Sequence, residues 1–313
     1  MAKFAFVFPG QGSQEVGMLQ DMSETTSLVA ETFDEASAVL GYDLWQLVQQ
    51  GPTDQLNKTE FTQPALLTAS IAVWRVCQQR GVPQVDLVAG HSLGEYSALV
   101  AAGVVEFRDA VHLVQQRGRF MQSAVPVGEG GMAAVLGLDD EQVSNICLAI
   151  STPNNVVQAA NYNSPGQVVI AGSNDALAEA IDACKAAGAK RAMALSVSAP
   201  FHSALMLPAA GKMADALANV EFKAPQIEII QNVDAQYCSD PALIRENLVK
   251  QMFSAVRWTE SVQRMAADGV TVVVECGPGK VLSGLNRRID KSLTSHSVNS
   301  AASLEQVCQE LSQ

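Results

Sequence analysis

Two kinds of apolar run alternate along the chain. Short, almost wholly apolar runs at 3–8, 85–89 and 271–276 end in glycine or in Pro-Gly, as strands buried on both faces do. Between them lie longer segments with helical spacing, at 25–40, 43–50, 62–79, 106–123, 242–251 and 258–267. Gly51-Pro52 separates the first helices. Thr62 reads as an N-cap with Pro64 in the first turn of the next one, and Gly81 and Pro83 close it. Strand, helices, strand and helix in succession predict a parallel sheet covered by helices.

From 130 to 195 the rhythm changes. Strand patterns at 131–137, 156–161, 167–172 and 190–195 enclose helical patterns at 139–149 and 174–187, with Asp139 and Gln142 spaced as a capping box. Asn163-Ser164-Pro165-Gly166 is a turn signal. The order is βαββαβ, the ferredoxin-like unit. The expectation is therefore an α/β protein. An α/β-hydrolase-like large domain with a parallel sheet takes residues 1–128 and 198–313, and an inserted ferredoxin-like small domain takes 129–197. A further strand is expected at 226–232, and a basic helix around Arg287 follows Gly277-Pro278-Gly279. The polar tail from Leu293 suggests no element.

At 313 residues and 48% hydrophobic content the chain can bury roughly three quarters of its unfolded surface, enough for one large core and a satellite. A net charge of -12 argues against general nucleic-acid binding, which needs a concentrated basic surface. Two local basic clusters, Lys280/Arg287/Arg288/Lys291 and Lys190/Arg191, suit either a phosphorylated or acidic ligand or a solvated face. Six scattered cysteines suggest neither a zinc site nor a disulfide framework and fit a reducing cytoplasm. The apolar run at 4–8 stops at Pro9-Gly10, and no run reaches transmembrane length, so no membrane association is expected.

Candidate chemistry concentrates at four places. Gly90-His91-Ser92-Leu93-Gly94 joins a strand to a helix with the G-x-S-x-G spacing of a nucleophile elbow. A capping serine in a tight turn would look the same. Pro9-Gly10-Gln11-Gly12-Ser13-Gln14 fails the dinucleotide spacing because position 15 is Glu, leaving a turn able to aim N–H groups at an anion, or an ordinary turn. Arg117 falls on the apolar stripe of Phe107, Ala110, Val114 and Met121. A buried guanidinium there either grips a substrate carboxylate or sits in a structural ion pair. Of four histidines, His202 is the best-placed base, since it follows a proline in the loop leaving the small domain.

Taken together, Pro9 to Gln14, Gly90 to Tyr96, Arg117, Pro200-Phe201-His202 and Glu275-Cys276-Gly277-Pro278-Gly279 resemble the malonyl-CoA:acyl carrier protein transacylases over nearly the whole chain. The resemblance implies acylation of Ser92, with His202 as base and Arg117 holding the malonyl carboxylate. It implies an oxyanion hole from the N–H groups of Gln11 and Leu93, and a main-chain carbonyl at Gln251 orienting the histidine. Met121 and Phe201 are expected beside the acyl group, Phe201 matching a bulky residue associated with malonyl selection. Lys190, Arg191, Arg287 and Arg288 are candidate contacts for coenzyme A or the carrier protein. No metal or cofactor is expected, and a cytoplasmic monomer is.

Overall fold

The computed structural model describes residues 3–82, 85–126, 128–197 and 199–311. The expected stop at Pro83 and the expected domain boundary at Ser198 lie outside the described residues. The described residues form nine strands: β1 (Lys3–Phe8), β2 (Leu87–Gly90), β3 (Gly130–Leu136), β4 (Val157–Ser164), β5 (Gln167–Ser173), β6 (Arg191–Ala194), β7 (Glu228–Ile230), β8 (Val270–Cys276) and β9 (Thr294–Val298).

A five-stranded sheet runs β7-β2-β1-β8-β9, every neighbouring pair parallel. Side-chain alternation along β1 explains its solid apolar pattern. Phe6 and Phe8 face one core with Val88 and the long helix Thr59–Gln79, while Ala5 and Val7 face another with Trp258 and Val262. Both faces are covered, so polar positions have no place in the middle of the strand.

The second sheet is antiparallel in the order β4-β5-β3-β6, with the helices Asp140–Ile150 and Asn174–Ala186 packed on it around Val135, Val143 and Ile170. This is the expected βαββαβ arrangement, and Asp139 with Gln142 makes the reciprocal capping box. β4 is tied to the large domain at the segment before the helix Trp258–Ala267, where Tyr162 N donates to Val256 O and Val256 N to Ala160 O, each at 2.9 Å.

Local boundaries differ from expectation in instructive ways. The helix expected from 62 begins at Thr59, so Thr62 lies inside it and donates its hydroxyl to Leu56 O at 2.5 Å. Pro64 is then in the second turn. Asn163 and Ser164 belong to β4 rather than to the turn, which Pro165 and Gly166 make alone. The polar tail holds an edge strand, β9, and the helix Ala301–Leu311, and the helix Leu207–Ala218 also went unanticipated. No helix among the described residues is long and apolar enough to cross a membrane.

Candidate active site

Because the five strands are parallel, the turns after β1, β2, β7 and β8 meet at one edge of the sheet. The chain order also reverses on either side of β1, and clefts of α/β proteins open at such a reversal, outside the strand ends.

The turn after β2 carries Ser92. Its φ is +51°, a left-handed conformation that costs a non-glycine residue energy and that surrounding structure must enforce. The enforcement is visible. A Cβ on Gly90 would come within 1.9 Å of the Gly94 carbonyl, and one on Gly94 within 2.1 Å of Phe8 O, so only glycines let strand and helix approach this closely. Asn232, just beyond β7, braces both sides of the turn. Its Oδ1 accepts from Ser92 N and its Nδ2 donates to Gly90 O, each at 2.7 Å.

His202 also has a positive φ, +60°, and is 3% exposed. Its Nδ1 lies 2.8 Å from the main-chain oxygen of Gln251, the last residue of the helix Pro241–Gln251. A carbonyl can only accept, so Nδ1 carries the proton and Nε2 is left with a lone pair. Ser92 Oγ lies 2.7 Å from that Nε2 and donates to it. Burial and the nearby Arg117 charge hold the imidazole down to about 3, so it stays neutral and able to accept a proton.

Arg117 is 1% exposed in the helix Phe107–Gln122. The following Gly118 lets this helix close on its neighbour, for a Cβ there would sit 2.7 Å from Glu60 Cα, and this brings Arg117 to Gln63. Its Nη1 donates to Gln63 Oε1 at 3.0 Å and its Nη2 to Gln251 Oε1 at 2.8 Å, with Ser92 Oγ 3.3 Å away. Nε has no acceptor, and among the described residues no carboxylate lies within ion-pairing distance of the guanidinium. The structural ion pair open to the sequence reading is therefore not what holds it. A buried cation next to an activated hydroxyl has only neutral acceptors, an arrangement that invites an anion.

Ser92, His202, Arg117, Gln11, Leu93, Met121 and Phe201 line one cavity of ≈ 240 Å³. The N–H groups of Gln11 and Leu93 have no protein acceptor among the described residues, whereas Ser92 N is already used. Gln251 stands behind the cavity wall. Lys190, Arg191, Arg287 and Arg288 do not line it. Arg287 donates to Ser295 O at 2.7 Å and Arg288 to Gln167 Oε1 at 2.8 Å, while Lys190 and Arg191 sit at the start of edge strand β6.

Several site residues carried no sequence signal. Gln63 lies in a helix that is buried almost all round, and Asn232 and Gln231 follow a three-residue strand. Glu95 offered a clue, being a carboxylate inside an apolar helix. It is 1% exposed and accepts from Gln231 Nε2 at 3.1 Å, Asn232 N at 3.2 Å and Gln251 Nε2 at 2.8 Å. Burial pushes it up to about 7 against the pull of those donors. His91 hydrogen-bonds Asn163 of β4 at 2.8 Å, tying the elbow to the small sheet.

A strained serine on a strand-to-helix turn, a histidine in the right tautomer and two unused N–H donors are the arrangement that acyl transfer through a hydroxyl needs, and the protein is an acyltransferase. The chain belongs to the acyl transferase family, whose acyl transferase domain matches residues 5–309, and within it to the malonyl CoA-acyl carrier protein transacylases. It is 58% identical to the "Malonyl CoA-acyl carrier protein transacylase" of Salmonella typhimurium over 97% of this chain and 98% of that one. The crystal structure of an acyl carrier protein S-malonyltransferase from Vibrio cholerae is 56% identical, with a TM-score of 0.96 over 98% of this chain and 100% of that one. A malonyl-transacylase solved in complex with a type II polyketide acyl carrier protein is 52% identical, with a TM-score of 0.97 over 99% and 100%.

Proposed function

We propose that this protein transfers the malonyl group of malonyl-CoA to the phosphopantetheine thiol of acyl carrier protein, through a malonyl ester on Ser92, and so supplies extender units for fatty acid synthesis. The observation that carries this reading is Arg117, a buried guanidinium with no carboxylate in ion-pairing distance among the described residues, in the same cavity as the Ser92–His202 pair.

Arg117 receives the free carboxylate of the malonyl group, which leaves the thioester carbonyl beside Ser92. His202 Nε2 takes the Ser92 proton as Oγ forms a bond to the carbonyl carbon. The N–H groups of Gln11 and Leu93 donate to the oxyanion, a contribution of about 10²- to 10³-fold in rate per donor in comparable sites. Collapse breaks the C–S bond, and His202 returns the proton to the departing coenzyme A sulfur. The carrier thiol then gives its proton to His202 and attacks the ester carbonyl. Collapse of the second intermediate frees Ser92, which regains its proton from His202. Two thiols use one site in turn, so ping-pong kinetics are expected. The steps balance without a metal or an organic cofactor, and none is proposed.

Met121 and Phe201 bound the acyl group, and Gln251 orients His202. Residues 129–197 are assigned as the small domain and 1–128 with 198–313 as the catalytic one. Lys190, Arg191, Arg287 and Arg288 are proposed contacts for coenzyme A phosphates or the carrier protein, and the protein is proposed to act as a cytoplasmic monomer.

Mass spectrometry after mixing with malonyl-CoA tests the reading. A malonyl adduct on Ser92 that passes to holo acyl carrier protein, and that Ser92→Ala abolishes, is the expected result. No adduct would overturn it, and rapid release as free malonate would make the protein a hydrolase.

A further inference from the structure

Gln251 makes four hydrogen bonds that converge on the reacting groups. Its main-chain oxygen holds His202, its Oε1 accepts from Arg117, and its Nε2 donates to Ser92 O at 2.9 Å and to Glu95 Oε2 at 2.8 Å. An amide can be turned either way about its last bond, and the two ends differ: one only accepts, the other only donates. Two acceptors settle the matter. Glu95 Oε2 and the Ser92 carbonyl both face the Gln251 amide from the same side, so the NH₂ end must lie there and the carbonyl end must face Arg117, with Glu95 the only charged member of the pair. Glu95 is itself held by Gln231 and Asn232 from the end of β7, and Gln231 in turn accepts from Asn247 Nδ2 at 2.8 Å.

The consequence is electrostatic. A carboxylate and a guanidinium are buried close together, yet one neutral amide stands between them. Direct pairing would satisfy both charges and leave Arg117 little to offer an incoming anion. We propose that Glu95 is a positioning residue for acyl selection, which acts through Gln251 to present Arg117 with a neutral carbonyl and so reserves the guanidinium for an acyl group bearing its own carboxylate. This rests on the reading that Arg117 receives the malonyl carboxylate.

The test moves the carboxylate one step closer without changing net charge or side-chain size. The double exchange Glu95→Gln with Gln251→Glu keeps the main-chain carbonyl at 251 and places the acid directly on Arg117, although it gives up the donor to Ser92 O, a loss that bears on both acyl groups alike. The readout is the ratio of kcat/KM for malonyl-CoA to that for acetyl-CoA, measured as Ser92 acylation. The ratio is expected to fall by roughly 10- to 100-fold, the worth of one charge-assisted contact. Glu95→Gln alone, which weakens one of the two acceptors that hold the Gln251 amide, should lower it by roughly 3- to 10-fold, mainly through KM. A residue that is only structural would lower both rates together and leave the ratio alone. If the exchange variant does not fold, the single substitution decides by the same ratio. A wild-type protein that prefers malonyl, with a ratio that survives these substitutions, would overturn this proposal and leave the function standing. A wild-type protein without malonyl preference would overturn both.

Discussion

Arg117→Ala separates recognition of the malonyl carboxylate from the acylation of Ser92 itself. The guanidinium gives Nη1 to Gln63 and Nη2 to Gln251, and has Ser92 Oγ 3.3 Å away. A malonyl carboxylate bound there would form a buried ion pair, and removing one partner of such a pair costs about 3–5 kcal/mol. At about 1.4 kcal/mol per decade, malonyl kcat/KM should fall roughly 100- to 5000-fold. An acetyl group has no carboxylate to strand, and for it the substitution removes packing and the hydrogen bonds to Gln63, Gln251 and Ser92 Oγ but no contact to the acyl group. Acetyl kcat/KM should fall less than about tenfold. A second signature accompanies the first. Arg117 is one of the two main causes that depress His202, so without it the imidazole should titrate closer to its ordinary value. Quenched-flow acylation of Ser92 by malonyl-CoA and acetyl-CoA, followed by intact mass, reads both effects. Equal losses for the two acyl groups would refute the carboxylate role of Arg117.

Two further outcomes follow from the geometry. With His202 held down to about 3 in the free protein, the acid limb of malonyl kcat/KM should lie below pH 5, while the limb of the saturated rate should sit higher, because a bound carboxylate neutralises Arg117 and lets the imidazole rise. A pH profile of single-turnover acylation checks this, and a kcat/KM midpoint near pH 6.5 that survives Glu95→Gln would refute it. Gly90→Ala, whose Cβ would meet the Gly94 carbonyl at 1.9 Å, should destabilise the protein by at least about 3 kcal/mol and abolish acylation, whereas Gly211→Ala, in an open helical position, should stabilise it by roughly 0.5–1 kcal/mol. Thermal melts compare them, and similar shifts would contradict the close-approach argument for the elbow.

The sequence carried most of the frame because its signals are local. The apolar run of β1, the capping box at Asp139 and the glycines around Ser92 each follow from neighbours within a few residues. β9 was illegible for a physical reason: Thr294-Ser295-His296-Ser297-Val298 is a polar edge strand whose place is fixed by pairing with β8, not by its own pattern. In the site, Ser92, Arg117 and His202 could be singled out because each breaks a local pattern. Gln63, Asn232 and Glu95 could not be given partners in advance, since their hydrogen bonds span from 54 to 142 positions along the chain.

The main-chain oxygen that steadies His202 has a chemical consequence of its own. A carboxylate in that place would strongly favour the imidazolium and strengthen the base, whereas a peptide oxygen brings no charge and leaves it weak. Such a base serves a hydroxyl that the fold has already set on it, as at Ser92, or a thiol, whose pKa of about 8.5 makes its proton easy to remove; water, at about 15.7, has neither advantage. On the proposed route an ester on Ser92 would therefore outlast the solvent around it and still react when a sulfur arrives, so that cargo is passed along rather than spilled.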